Sequence, residues 1–455
     1  MTILTEGADA PTPDFLVDPP AAEVYYPLIS VDDHLVEPAD MFEGRLPARF
    51  ADLAPRVIEL EPGKPIPRPG TNLPPMVPKH GGQAWYFDDR VFVQVGLNAV
   101  AGKTDYTTAR SEPMTFADMR PGCYDIEARI HDMDLGGIWA SVNFPSQVTG
   151  FCGTVFSFAK DAVLGEAVTQ AWNDWLFEEW HSPYPERIVP MGITFLTDPE
   201  AGAREIRRNA ARGFTAVTMP EIPHKAGLPE LYEEYWNPIF EACVDTDTAI
   251  ALHVGSSGMF EARSDPARYE RGVVMFPVLS LVACIEWLLS GVLARYPSLK
   301  IVMAEGGIGW VPLLIDRVEY AKGHAGLPNW QGDRTPRQVL RDNFFFCTLD
   351  DPTTLPLIHE IGIDNVMMEV DYPHSDSTWP NAPEMAMKYL DGVPDDEINK
   401  MTFENSCRFF DFDPFSHTPR DQATVAALRG LATDVDTSTV SKSEYRARYE
   451  SRVGA

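Results

Sequence analysis

Between Tyr26 and Phe412 the chain alternates short apolar runs of four to eight residues with longer stretches whose apolar positions recur at helical spacing. Runs that short, rich in Val, Ile and Leu and closed by a turn, predict buried parallel strands. They fall at Tyr26–Val31, Ile138–Phe144, Ile188–Phe195, Ala216–Met219, Ala249–Leu252, Leu299–Ala304, Phe344–Thr348 and Val366–Val370. Between them, helices are predicted at Ile126–Leu135, Thr154–Trp180, Pro199–Arg212, Tyr235–Cys243, Phe276–Arg295, Trp310–Ala321, Thr354–Ile361 and Pro383–Leu390, with a closing helix in Asp395–Phe412. Strand and helix in strict alternation imply a parallel sheet with helical crossovers, and eight such units are the number at which a barrel closes. The expected fold is α/β, a distorted (β/α)8 TIM barrel over residues 26–412. A doubly wound open sheet is the alternative, but it would want a glycine-rich phosphate turn after its first strand, and Asp32–Pro38 contains no glycine.

Two regions break the rhythm. After the first strand comes a Pro-rich insertion, about residues 50–120, in which Pro62, Pro65, Pro67, Pro69, Pro74, Pro75 and Pro78 disfavour helix and central strand alike. Within it, Ala84–Val95 reads as a hairpin around Asp88-Asp89. Residues 1–25 read as a flexible arm, and 413–455 as a polar C-terminal extension with a possible helix at Lys442–Arg452.

Four polar clusters sit at the C-terminal ends of predicted strands: Asp32-Asp33-His34, His253, Glu305 and Asp371-Tyr372-Pro373-His374. In a parallel barrel those ends share one face, where active sites are built. Side chains two apart on a strand point the same way, so Asp32 and His34 project together and Asp33 projects away. With His253 and Asp371 they offer two imidazoles and two carboxylates, a donor set suited to zinc, manganese or iron(II). Glu37 is expected to anchor the first loop, Glu221 to lie on the active-site side, and Arg317 to occupy a helix surface.

Acidic residues outnumber Lys plus Arg by 67 to 37, a formal charge of -30 that opposes binding to nucleic acid or anionic membrane. The six cysteines form no CxxC pair and read as reduced cytoplasmic thiols. Residues 1–20 lack a basic n-region and apolar core, so no secretory signal is expected there. Gly272–Ala294 is the most membrane-like stretch, but Pro277 and Glu286 favour a buried helix.

The motifs Ser30–Pro38, Leu252–Gly258, Ala304–Trp310 and Asp371–Asp376 together resemble the amidohydrolase-related family. The branch in question holds aminocarboxymuconate semialdehyde decarboxylase, the resorcylate and carboxyvanillate decarboxylases, and some carbon–carbon bond hydrolases. The resemblance implies one divalent metal per barrel, often zinc or manganese, and a homo-oligomer. It carries the metal ligands onto Asp32, His34, His253 and Asp371, with Asp32 where many members have histidine. Glu305 stands where several members have a strand-six histidine.

The leading expectation is a metal-dependent hydrolase of a small organic substrate, zinc being the expected ion, which lowers the pKa of a bound water from about 15.7 to near 7. Asp371 would shuttle protons, with Glu305 or His374 assisting. The alternative is a non-oxidative decarboxylase using the same ion, and a barrel that has lost catalysis is a third reading. No arginine stands at a predicted strand end to clamp an anionic substrate, which tips the balance toward hydrolysis.

Overall fold

The computed structural model describes residues 26–67, 75–95, 98–99, 101, 113–258, 268–324, 326–416 and 418–432. The arm at 1–25 and the possible helix at Lys442–Arg452 lie outside the described residues. Strand β1 spans Ile29–His34; β2 (Arg56–Leu60), β3 (Gly82–Phe87) and β4 (Arg90–Val93) follow as a separate antiparallel sheet in the order β2-β3-β4. The hairpin is as expected, its turn made by Asp88 and Asp89 with φ of 52° and 62°. Strand β2 was not foreseen, and β3 is central in this sheet. The reason is local: the prolines cluster between β2 and β3, leaving both strands free of them.

The remaining strands are β5 (Ala140–Phe144), β6 (Ile188–Val189), β7 (Met191–Ile193), β8 (Ala216–Met219), β9 (Ala249–His253), β10 (Ile301–Ala304), β11 (Phe344–Thr348) and β12 (Val366–Met368). They pair in parallel as two sheets, β1-β5-β6 and β12-β11-β10-β9-β8-β7. Every predicted strand position is occupied. The predicted strand Ile188–Phe195 divides at Pro190, which has no N–H to donate to a ladder, so its two halves join different sheets. Between β12 and β1 the backbones meet directly: the Asp371 N–H donates to the Asp32 carbonyl at 2.8 Å.

Alternation along these strands sorts the core. Ile250, Leu252, Ile301, Met303, Phe344 and Phe346 pack in one cluster, while Ala249, Ala251, Val302, Ala304, Phe345, Cys347 and Met367 pack in a second. Strands buried on both faces need apolar residues at every position, which is why these runs show no polar alternation. The closing helical segment Asp395–Phe409 sends Phe403 and Phe409 against the second cluster.

Several predicted helices are interrupted. Thr154–Trp180 becomes Thr154–Ser157 and Ala162–Trp175, the second continuing as a π-helical turn over Leu176–His181 and started by Asp161, whose carboxylate accepts from Val163 and Leu164 N–H and so satisfies orphaned donors of the first turn. Phe276–Arg295 ends as a helix at Leu289, and Gly291, at φ 79°, opens a separate turn at Val292–Arg295. This apolar helix is buried over one face only: Leu279, Ala283, Cys284 and Trp287 pack inward, while Val278 and Leu289 are exposed. Among the described residues, Arg271–Leu289 is the one stretch long and apolar enough to cross a membrane.

Candidate metal centre

The ends of β1, β9, β10 and β12 converge. His34 and His253 bring their Nε2 atoms within 2.9 Å, with ring centroids 4.7 Å apart and nearly perpendicular. Asp32 Oδ1 lies 3.5 Å and Asp371 Oδ1 3.4 Å from His34 Nε2, and Asp32 Oδ2 lies 3.8 Å from His253 Nε2. Asp32, His34 and His253 form one group with donor atoms within 4.8 Å of one another, Asp371 joins His34 and His374 in a second group that shares His34, and all are buried.

Both carboxylate oxygens of Asp32 and the Oδ2 of Asp371 are buried without a hydrogen-bond partner. Leaving buried polar atoms unpaired costs about 1–3 kcal/mol each, more for charged groups, so an acceptor set this dense and unsatisfied suits a divalent cation. Burial and the neighbouring carboxylates of Glu369 and Glu305 push Asp32 well above the usual carboxylate range; burial and Glu305 do the same to Asp371. His34 is held well below the usual imidazole range by burial and by His374 and His253, which keeps it a neutral ligand. Burial also opposes charge on His253, but the Glu305 carboxylate, 3.0 Å from its Nε2, outweighs this and raises its pKa. His253 Nδ1 donates to the Val254 carbonyl at 2.7 Å, leaving Nε2 to face the centre.

Glu305 and His374, the expected helpers, are both at the centre. His374 stacks on His34 at 3.8 Å, and its Nδ1 lies 3.0 Å from Asp371 Oδ1. Asn98 Nδ2 meets His374 Nε2 at 3.3 Å, which places the ring proton on Nδ1, facing Asp371. Burial lowers the His374 pKa to about 4, so the ring is neutral near pH 7. Asp33 points away as expected, bonded to Ser30 Oγ at 2.9 Å, to the Ser141 hydroxyl and to the Tyr372 N–H at 2.9 Å.

Glu37 anchors the first loop: it accepts from the Ser146 N–H at 3.1 Å, the Ser146 hydroxyl and Trp172 Nε1 at 3.0 Å. Glu221 is buried on the side of the centre, where its charge acts on His253. Its Oε1 accepts the Gly255 N–H at 2.8 Å, bracing the loop after β9. Arg317 lies on a helix over the Tyr320 ring, away from the centre.

Sequence reasoning missed Glu369 and Phe151. Glu369 accepts the Glu305 N–H at 2.9 Å and is itself buried, with its pKa pushed up by burial to about 8. The signal existed: Met367 packs in the second cluster, and Glu369 follows it two residues on at the strand's end. Phe151 stacks on His253 at 5.4 Å and meets His34 edge-on at 5.7 Å. Glu305, Asp371 and Phe151 all have left-handed backbones, with φ of 59°, 61° and 63°. Such conformations cost of order 1–3 kcal/mol each and persist where the surroundings impose them, which happens most often at functional sites.

Residues 119–412 match the family model described as amidohydrolase. This chain belongs to the amidohydrolase family. Among curated relatives, this amidohydrolase is 26% identical over 271 residues to the gamma-resorcylate decarboxylase of Polaromonas sp. (strain JS666 / ATCC BAA-500), covering 56% of this chain and 79% of the relative. An amidohydrolase of Mycobacterium avium subsp. paratuberculosis K-10 has the same fold, with a TM-score of 0.63 at 22% identity over 86% of this chain and 100% of the other. The 5-carboxyvanillate decarboxylase of Novosphingobium aromaticivorans, solved with manganese and 4-hydroxy-3-methoxy-5-nitrobenzoic acid, aligns with a TM-score of 0.52 at 22% identity over 64% of this chain and 81% of that one.

Proposed function

We propose that this amidohydrolase is a non-oxidative, metal-dependent decarboxylase of a small aromatic carboxylic acid, its nine parallel strands, β6 and β7 counting as one stave, forming a distorted (β/α)8 barrel. This reverses the order of the sequence-based expectations, in which hydrolysis led. The observation that carries it is the match to gamma-resorcylate decarboxylase across 79% of that enzyme. Asp32, His34, His253 and Asp371 would hold the ion, and manganese, present in the carboxyvanillate enzyme, has support that zinc lacks.

A divalent ion in this position supplies positive charge for the substrate carboxylate and an adjacent oxygen. The chain's own groups manage the proton. Decarboxylation needs a proton delivered to the carbon that loses carbon dioxide, with the electrons of the broken carbon–carbon bond taken up in the new C–H bond. Asp371 would deliver this proton, since it stands at the centre with His374 Nδ1 3.0 Å from its Oδ1. His374, neutral and with Nδ1–H toward Asp371 Oδ1, orients that carboxyl so that Oδ2 carries the proton. Glu305 lies 3.0 Å from His253 Nε2 and holds that imidazole's charge state.

One observation favours hydrolysis of a neutral substrate as the second reading: Glu305, Asp371 and Asp376 crowd the same side of the centre, and that much negative charge repels an anionic acid. The test is a panel of dihydroxybenzoates, lactones, esters and amides offered to manganese- and zinc-loaded enzyme. Carbon dioxide release from an aromatic acid supports the proposal. Turnover confined to lactones, esters or amides, with solvent oxygen in the product, would sink it.

A further inference from the structure

We infer that Phe151 is the specificity-determining wall of the metal centre, selecting a flat aromatic ring over a saturated one. The inference rests on the aromatic-acid reading above and names the residue that would enforce it. Seven non-glycine residues among those described have positive φ. Five are aspartates, a residue type that tolerates the left-handed region because its short side chain bonds locally. Glu305 and Asp371 belong to the centre itself. Phe151 is the bulky apolar exception, and its ring meets the same two histidines.

The position of that ring is built, not incidental. Phe151 N–H donates to the Ser146 carbonyl at 3.3 Å, and Ser146 is fastened by both its N–H and its hydroxyl to the buried Glu37 carboxylate. Trp172 Nε1 holds Glu37 from the other side. Glycines flank the residue at 150 and 153, with φ of 75° and 85°, and a Cβ at Gly150 would meet Thr154 Oγ1 at 2.4 Å. The loop thus holds the ring in place before any substrate arrives.

Phe144 also touches both histidines, at 5.0 Å from His253 and 5.8 Å from His34, but it is wholly buried. Phe151 is partly exposed. Among the described residues, it is the phenylalanine that contacts both imidazoles and keeps exposed surface. A planar ring bound at the ion can pack flat or edge-on against it, a preference worth about three- to tenfold in affinity. A saturated ring, thickened by axial hydrogens and lacking the quadrupole, cannot. The competing role, a hydrophobic shield for the histidines, requires only apolar volume, which leucine or methionine would supply equally.

The experiment uses manganese-loaded full-length protein and calorimetry with a matched pair of probes, 2-hydroxybenzoate and trans-2-hydroxycyclohexanecarboxylate. Wild type should prefer the aromatic probe, Phe151→Leu and Phe151→Met should lose the preference to within about twofold, and Phe151→Tyr should keep it. Metal content should stay the same in all four. Either aliphatic variant suffices if the other fails to fold. An unchanged preference in the aliphatic variants, or no preference in wild type, overturns the inference. If the preference is present and lost as stated, yet no aromatic acid releases carbon dioxide, Phe151 stands as the wall and the decarboxylase reading falls.

Discussion

His253 Nε2 and His34 Nε2 face each other at 2.9 Å, while His253 Nδ1 is committed to the Val254 carbonyl. That contact is satisfied either by a proton shared between the two Nε2 atoms or, when both lone pairs face inward, by a cation lying between them. The unpartnered oxygens of Asp32 and Asp371 border the same space. Protein purified without chelator should therefore carry about one divalent ion per chain, and His34→Ala or His253→Ala should lose it. Elemental analysis of the folded variants checks this; full occupancy in both would place the ion elsewhere.

Binding of that ion should weaken as pH falls. Glu305 raises the pKa of His253, so the metal-free protein holds a proton there that the ion must displace. Metal titrations at pH 6 and pH 8 should show lower affinity at pH 6. In Glu305→Gln, which removes the charge that stabilises the proton, the difference should shrink.

Glu369 should matter through Glu305. Its carboxyl accepts the N–H of a residue held at φ 59°. Glu369→Gln keeps an acceptor and should retain most activity. Glu369→Leu leaves the N–H unpaired, should cost about 1–3 kcal/mol of stability, and should lower kcat more than it raises KM. Combined with Glu305→Ala it should add little further loss of kcat, since neighbours acting as a unit are not additive. Full additivity would show that Glu369 acts independently of Glu305.

Glu221 should make stability fall with pH. Burial raises its folded pKa from 4.5 to about 7, so the native state binds the proton more tightly than the unfolded chain does. Its contribution is complete below pH 4.5 and is lost as pH rises through about 7. Glu221→Gln keeps the acceptor for Gly255 N–H and removes the titration. Thermal melts of the variant should therefore decline less between pH 5 and pH 7.5 than those of wild type.

Glu37→Ala should be among the more damaging substitutions outside the metal ligands. It strands the Trp172 Nε1–H, the Ser146 N–H and the Ser146 hydroxyl in a buried space. Denaturant unfolding should show a loss of about 2–4 kcal/mol. A loss below about 0.5 kcal/mol, the range of ordinary surface changes, would mean that the loop finds other partners.

The local code of the chain determined more of the site than of the elements around it. Apolar runs of strand length ended by Asp-x-His, His, Glu and Asp-x-x-His located all four strand ends, because residue type and strand periodicity are properties of neighbours in sequence. Element boundaries were less readable: Pro190 divides a strand between two sheets, and β2 pairs with a strand more than twenty residues further along. Tertiary structure alone decided how the ends meet. The 2.9 Å between His34 and His253 depends on the packing of strands 219 residues apart in sequence. Glu305 and Phe151 adopt left-handed backbones that their own sequences disfavour, and no local pattern announces them. They are held there by Glu369 and by the Glu37–Ser146 anchor, contacts that exist only once the chain has folded.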